Sequence, residues 1–258
     1  MTWLQDALAL ASGSLVGFSL GLVGGGGSIL AVPLLVYVVG VTNPHLAIGT
    51  SAVAVAVNAM INLVSHARKG AVKWRCASVY AAAGVVGALA GAALGRQVDG
   101  ERLLALFAGL MIVVGVAMLR RKDDAGRPDV RLGPENLPKL LGFGAVTGLL
   151  SGFFGIGGGF LIVPGLIMAT GMPILNAMAS SLVAVTAFGV TTSASYATAN
   201  LVDWRVAAVF IIGGIVGGLA GARLARIVNK RRGALNTLFA GLIFVVAGYM
   251  LYRTLIAG

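Results

Sequence analysis

"GLVGGGGSILAVP", residues 21–33, places four consecutive glycines inside a stretch that is otherwise apolar enough for a membrane helix. Each glycine costs the interior of a helix about 1 kcal/mol relative to alanine, so the block opposes helix formation by about 3–4 kcal/mol. A second stretch, "GFFGIGGGFLIVP" at residues 152–164, has nearly the same pattern. We therefore expect irregular backbone at both stretches.

The rest of the chain has the composition of a membrane protein. Of its 258 residues, 58% are hydrophobic and only 10% are charged, whereas a soluble domain carries about a quarter charged residues. Apolar runs of about 18 or more residues recur, each long enough to cross a bilayer. The runs are continuous instead of alternating between two faces, which excludes a transmembrane barrel. The sequence therefore predicts an all-α polytopic membrane protein that lies in the lipid bilayer.

The basic residues and the single cysteine bear on the partners of the chain. A formal net charge of +11 would indicate nucleic acid in a soluble protein, but here the basic residues cluster in short loops, as topology signals do. We therefore predict no nucleic-acid partner. Cys76 alone allows neither an internal disulfide nor a thiolate metal cluster, and we expect no metal and no cofactor. The first residues lack the basic region of a secretory signal, which indicates a mature terminus that leads into a first helix.

Self-similarity divides the chain into two copies of one unit. Besides the glycine stretches, "TSAVAV" at residues 50–55 matches "SSLVAV" at residues 180–185. "GALAGAAL" at residues 87–94 likewise matches "GGLAGARL" at residues 217–224. The glycines of this last pair recur at helical spacing, which is typical of faces that pack closely against another helix.

The repeat sets the domain organisation that we predict. A first transmembrane repeat covers residues 1–121, and a second covers residues 138–258. Residues 122–137 between them are polar, carry both signs of charge and contain prolines. Such a composition is typical of a solvent-exposed linker, and we place it on the cytoplasmic side.

The basic loops indicate that the two copies are inverted. In the first half they collect at "HARKGAVKWR", residues 66–75, whereas the aligned loop of the second half, "TANLVDWR" at residues 198–205, is nearly neutral. There the basic cluster lies one loop later, at "RLARIVNKRR", residues 223–232. If basic loops face the cytoplasm, the copies point in opposite directions, as in many secondary transporters. Parity then requires each glycine stretch to lie in a short re-entrant segment or a short tilted crossing.

The glycine stretches are the predicted binding site. Successive glycine N–H groups, followed by a helix that begins near Ser28 or Gly159, form a backbone nest that suits an anion without any formal charge. Because the repeats are inverted, the two nests can approach each other near the membrane midplane. The alternative interpretation is close packing of helices through small residues. The predicted ligands are Gly24, Gly25, Gly26, Gly27, Ser28, Gly155, Gly157, Gly158 and Gly159.

Small polar residues complete the predicted site. The pairs Thr50–Ser51 and Ser180–Ser181 begin the helices after the nests, and their hydroxyls either donate to an oxyanion or bond their own helix. Asn58 lies deeper in the helix of Thr50, where an asparagine otherwise makes a modest interhelical hydrogen bond. No apolar span contains a carboxylate, which a proton-coupled cation carrier usually keeps there. Because no catalytic motif is present, we predict an anion transporter and no enzyme.

The paired "GGGGSILAVPLL" and "GIGGGFLIVPGL" stretches, with the "WR" loops, resemble the TauE/SafE family over nearly the whole chain. The resemblance implies a multi-pass transporter of the cytoplasmic (inner) membrane of a prokaryote that moves sulfite, organosulfonates or related sulfur anions. The family's glycine-rich segments map onto Gly24–Ser28 and Gly155–Gly159, although Gly25 stands where the second copy has Ile156.

Several functions remain open on the sequence. The first is a secondary transporter for a small sulfur oxyanion or sulfonate, with alternating access around the two glycine nests. The second is an anion channel in which the glycines form the selectivity filter, and the third is a membrane scaffold that transports nothing. The sequence is also compatible with a homodimer.

Overall fold

The computed structural model describes residues 3–120, 130–155, 159–228, 241, 244–250 and 252, and within these residues the chain is helical with no strand. The predictions for Gly157, Gly158, linker residues 122–129 and basic residues 230–232 lie outside the described residues. In chain order the helices are α1 (Trp3–Val23), a 3-10 helix (Gly24–Leu30), α2 (Ala31–Tyr37), α3 (Pro44–Ala67), α4 (Trp74–Gly95), α5 (Gly100–Arg120), α6 (Leu137–Phe154), α7 (Gly159–Thr170), α8 (Ile174–Ala197) and α9 (Trp204–Val228).

Both glycine stretches interrupt an α-helix, as the sequence predicts. Gly24 and Gly155 have φ angles of +73° and +67°, a left-handed conformation that glycine adopts without steric cost. The first follows the end of α1 and the second follows the end of α6. The chain after Gly24 differs from the prediction of a helix start near Ser28, because Gly24–Leu30 is wound as a 3-10 helix and α2 begins only at Ala31. In the second half α7 does begin at the predicted residue, Gly159.

Helices from different halves of the chain pack side by side through glycine. α1 lies along α9 and α6 lies along α4, and in both pairs the residue numbers of the two partners rise in the same direction. The contacts pair Gly13 with Phe210, Gly17 with Gly214, Gly21 with Gly218, Gly144 with Tyr80, Gly148 with Gly84, and Gly152 with Ala88. A Cβ atom at Gly13, Gly17, Gly21, Gly144, Gly148 or Gly152 would overlap the partner's backbone. The predicted packing faces lie in the same two interfaces and are confirmed: a Cβ atom would overlap the partner's backbone at each of their glycines, Gly87, Gly91, Gly217 and Gly221.

α3 and α8 form the centre of the molecule and run in opposite directions. Gly189 of α8 lies against Ala52 and Ala56 of α3, and Gly49 of α3 lies against Leu201, which follows α8. More of these two spans is buried, 67% and 56%, than of α4, α6 and α9, at 39–44%. The two helices that the sequence alignment makes equivalent are therefore antiparallel.

The 3-10 helix and α2 lead the chain back from the end of α1 to the start of α3, and α1 and α3 are parallel. α3 runs in the same direction as α9, because Thr50 contacts Asp203 and Asn58 contacts Gly214 further along both. Since α1 is also parallel to α9, α1 and α3 share one direction. The connecting segment of 7 residues of 3-10 helix and 7 of α-helix covers about 25 Å, which is less than the ~30 Å of a hydrocarbon core.

Five described helices are long and apolar enough to cross a bilayer: α3, α4, α6, α8 and residues Trp204–Leu224 of α9. Large apolar side chains stand exposed on their outer faces, such as Val86 at 70% and Val216 at 64%, as expected for surfaces that contact lipid. The chain is therefore an all-α, multi-pass membrane protein. The division into halves and their inverted orientation in the membrane stay predictions.

Candidate functional site

The two glycine stretches meet at the centre of the molecule. A Cβ atom at Gly159 would overlap the carbonyl oxygen of Gly25. In the opposite direction, a Cβ atom at Gly25 would lie 2.9 Å from the Cα of Gly159 and 2.7 Å from a methyl group of Val185. Real Cβ atoms do not approach other heavy atoms so closely, so only glycine fits at either position. The backbones of the two halves are thus in direct contact.

Each glycine stretch is held by a serine of the other half. The N–H of Gly25 donates to Ser181 Oγ at 3.2 Å, and Ser181 Oγ donates to the carbonyl of Met178 at 2.8 Å. At the equivalent place, Ser51 Oγ lies 3.5 Å from the carbonyl oxygen of Gly155 and donates to the carbonyl of Ile48 at 2.9 Å. The hydroxyl proton of each serine is therefore engaged within the protein, so donation to an anion requires the side chain to turn.

The other members of the two hydroxyl pairs lie at helix ends. Thr50 Oγ1 accepts the N–H of Asp203 at 2.9 Å, where α9 begins. Ser180 Oγ accepts the N–H of Lys73 at 2.9 Å, where α4 begins. Both residues thus hold the start of a helix from the other half and not a glycine stretch.

The remaining residues of the first stretch pack closely against their neighbours. Gly24 approaches the backbone of Met178, and Gly27 approaches α1 at Ser19. The buried hydroxyl of Ser28 donates to the carbonyl of Gly25 at 3.0 Å. The glycines of the first stretch therefore pack closely against their neighbours, as the alternative interpretation states. Gly24 in addition has a left-handed backbone conformation.

Asn58 is the predicted site residue with the largest unmet hydrogen-bonding capacity. It is 1% exposed, and neither its amide nitrogen nor its amide oxygen has a partner among the described residues. A buried polar group without a partner costs about 1–3 kcal/mol. The amide lies against Gly214, which also packs on Gly17 of α1. Because α1 and α9 are parallel, Asn58 lies at the height of the segment of α1 near Ser19, against which Gly27 of the first glycine stretch packs.

Two further buried hydroxyls, those of Ser151 and Thr192, also have no partner among the described residues. The sequence analysis did not single out either residue. Their equivalents are Leu20 and Asn62, so duplication gives no signal at Ser151, whereas a polar residue does recur at the position of Thr192.

The formal charges that the structure describes with partners lie near the helix ends. Arg205 forms an ion pair with Asp6 at 2.7 Å between the starts of α9 and α1. Arg96 donates to the carbonyl of Ser195 at 2.9 Å, where α4 and α8 end. Within the described residues no group of His, Cys, Asp and Glu could hold a metal ion. The side chains described at the glycine contact, Ser51, Ser181 and Val185, are all neutral.

Comparisons with known proteins agree with this fold. The model of the family described as sulfite exporter TauE/SafE matches residues 9–250. A probable membrane transporter protein of Xylella fastidiosa is 52% identical over 255 residues, which cover 98% of each chain. The probable membrane transporter protein YdhB of Bacillus subtilis is 26% identical over 220 residues, which cover 84% of this chain and 89% of its own. No solved structure matches the chain with statistical significance.

The helical fold, its apolar spans and these relatives define a class, the multi-pass membrane transporters, which are not enzymes. The chain belongs to the sulfite exporter TauE/SafE family. The resemblance predicted from the glycine stretches is thereby confirmed over nearly the whole chain. The family match gives no support to the predicted homodimer.

Proposed function

We propose that the chain is a secondary transporter that moves small sulfur-containing anions, such as sulfite or organosulfonates, across the cytoplasmic membrane of a prokaryote. The observation that carries the proposal is the backbone contact between Gly25 and Gly159 at the centre of the molecule. The description of the family supports the substrate class. The absence of carboxylates from the sequences of α3, α4, α6, α7, α8 and α9 supports an anion, because nothing there repels it.

The anion binds when the two glycine stretches separate. Opening the contact exposes the N–H groups at the start of the 3-10 helix and at the start of α7, where helix N-termini favour negative charge. Gly24–Ser28 and Gly155–Gly159 supply these donors, Ser51 and Ser181 turn towards the ligand, and Asn58 gains the partner that it lacks. Gly157 and Gly158 remain part of the proposed site.

Alternating access follows from the pairing of helices across the halves. α1 packs against α9 through close glycine contacts, and α4 packs against α6 in the same way. Each pair joins one helix from each half, so the two pairs can rock as bodies about the central α3 and α8. When one side of the Gly25–Gly159 contact opens, the other side stays closed.

Transport by purified protein in vesicles tests the proposal. We expect uptake of labelled sulfite, sulfoacetate or thiosulfate above the level of empty liposomes. We also expect uptake to be accelerated by unlabelled substrate inside the vesicle, which is the behaviour of a carrier. A current that is linear in the anion gradient, without this acceleration, would assign a channel instead. No flux of any of the three anions would refute the substrate class.

A further inference from the structure

Ser151 of α6 and Thr192 of α8 are buried hydroxyl residues outside the site predicted from the sequence. Both are 0% exposed, and neither hydroxyl has a hydrogen-bond partner among the described residues. A serine or threonine in an apolar helix usually bonds a carbonyl of the preceding turn, as Thr186 and Thr191 of α8 do at 2.7 and 2.8 Å. Ser151 and Thr192 do not form this bond, so their hydroxyl groups remain available to donate a hydrogen bond to a ligand.

The two hydroxyl residues lie at one level of the bundle. Gly152, next to Ser151, packs on Ala88 of α4. Phe188, one turn before Thr192, packs on the turn of α4 that precedes Ala88. Because α4, α6 and α8 run in the same direction, Ser151 and Thr192 both lie at the height of the turn of α4 around Ala88.

Ser51 of α3 lies at the end of α6, one helical turn beyond Ser151. Its Oγ lies 3.5 Å from the carbonyl oxygen of Gly155, whose N–H donates to the carbonyl of Ser151. The next residue of α3 packs against Gly189, which lies less than one turn before Thr192. Hydroxyls from three helices therefore surround the end of α6, where the second glycine stretch begins.

The repeat-equivalent positions, two in the first half and one in the second, carry a different set. Leu20 replaces Ser151, Asn62 replaces Thr192, and Ser181 replaces Ser51. The amide of Asn62 is already bonded to the carbonyl of Asn58 at 2.9 Å. The combination of three hydroxyls therefore occurs around the end of α6 and not at the equivalent place around the end of α1, so the two places differ in their chemistry.

We propose that Ser51, Ser151 and Thr192 form a second anion-binding station, separated from the first glycine stretch by the contact between Gly25 and Gly159. The station rests on the proposed function and takes the same class of ligand, a small sulfur oxyanion whose oxygens accept hydrogen bonds from the hydroxyls. α3, α6 and α8 contain no carboxylate that would repel it. The anion passes between this station and the first glycine stretch when the backbone contact opens.

The test compares Ser151→Ala and Thr192→Val with Thr186→Val in sulfite flux and in thermal unfolding. A hydrogen bond to a charged ligand is a strong one, so each of the first two variants should raise the sulfite concentration for half-maximal flux about tenfold. Their unfolding temperature without ligand should equal or exceed that of the wild type, because a buried hydroxyl without a partner is removed. Thr186→Val, which removes a hydroxyl that bonds its own helix, should keep the wild-type half-saturation.

Thr192→Ser restores a hydroxyl and should return the half-saturation to the wild-type value, which separates lost hydrogen bonding from lost packing. Wild-type half-saturation in Ser151→Ala and Thr192→Val would overturn the station while leaving the proposed function intact. A changed requirement for Na⁺ with unchanged half-saturation for sulfite would also overturn it, because the hydroxyls would then serve a cation. A wild-type protein that transports no sulfur anion would remove the proposed function and the station together.

Discussion

At the scale of the residue, the glycines at the centre of the molecule act through the absence of a side chain. Gly25 and Gly159 touch through their backbones, and a Cβ atom on either one would enter the space of the other half. The same absence of a side chain allows Gly24 and Gly155 to take positive φ angles. Four adjacent glycines therefore serve two needs at once, a turn of the chain and a close approach of two backbones.

The prediction at this scale concerns Gly159→Ala. Its methyl group overlaps the carbonyl oxygen of Gly25, so the two stretches must move apart, at a cost of about 1–3 kcal/mol of stability. We expect sulfite flux per folded protein well below the wild-type value, measured in vesicles after quantifying folded protein by size-exclusion chromatography.

Gly142→Ala is the matched control for this change. Gly142 is an exposed residue of α6, and a Cβ atom there meets nothing within 4 Å. The control should transport normally and gain up to about 1 kcal/mol of helix stability. Equal flux in Gly159→Ala and Gly142→Ala would show that the backbone contact has no part in transport.

At the scale of the element, the helices are assembled by contacts that cross between the halves. Thr50 of α3 accepts the N–H of Asp203, the residue before α9, and Ser180 of α8 accepts the N–H of Lys73, the residue before α4. In a bilayer, lipid tails are as apolar as leucine, so helix pairing depends on close packing and hydrogen bonds. A hydroxyl that meets a backbone N–H at a helix start therefore helps to decide which helices become neighbours.

The prediction for these elements is that Thr50→Val weakens the fold and leaves substrate affinity unchanged. The variant leaves the N–H of Asp203 without its acceptor, which should lower stability by about 1 kcal/mol. Thermal unfolding in detergent measures the loss, and sulfite uptake measures the half-saturation. Wild-type stability together with a raised half-saturation would instead place Thr50 at the anion site.

At the scale of the whole molecule, equivalent helices run in opposite directions. α3 is antiparallel to α8, while α3 shares its direction with α1 and α9, and α8 shares its direction with α4 and α6. In the proposed transporter, two copies of one unit with opposite direction would place the two proposed glycine sites on the two sides of one central contact. This arrangement suits a carrier that must present its site to both sides of a membrane.

The prediction at this scale is that the loops around Lys69 and Asn200 face opposite sides of the membrane. Both residues are exposed and lie in the corresponding loops of the two halves. Cysteines placed at Lys69 and at Asn200 in a Cys76→Ser background should react with an impermeant maleimide from the cytoplasmic and the outer side, respectively. Reaction of both cysteines from the same side of the membrane would refute the predicted inverted arrangement of the two halves.

The amino-acid sequence by itself determined the class of protein and the places where the helices break, and it predicts the repeat. Hydropathy alone identifies spans, because lipid accepts only apolar helices whose backbone bonds are internal. The glycine blocks identify the breaks, because their cost to a helix is a local property of each residue. The contact between the two glycine stretches was predicted as well, from the opposite charge pattern of the loops.

Only the tertiary structure decided which groups meet. The sequence treats Thr50 and Ser51 as one pair, yet Thr50 holds the start of α9 and Ser51 lies beside Gly155. That Asn58 and Thr192 have no side-chain hydrogen-bond partner among the described residues likewise depends on how distant helices pack. The side chains of neighbouring residues in a helix point about 100° apart. The partner that each side chain meets is therefore decided by the packing between helices and not by the adjacent residues in the sequence.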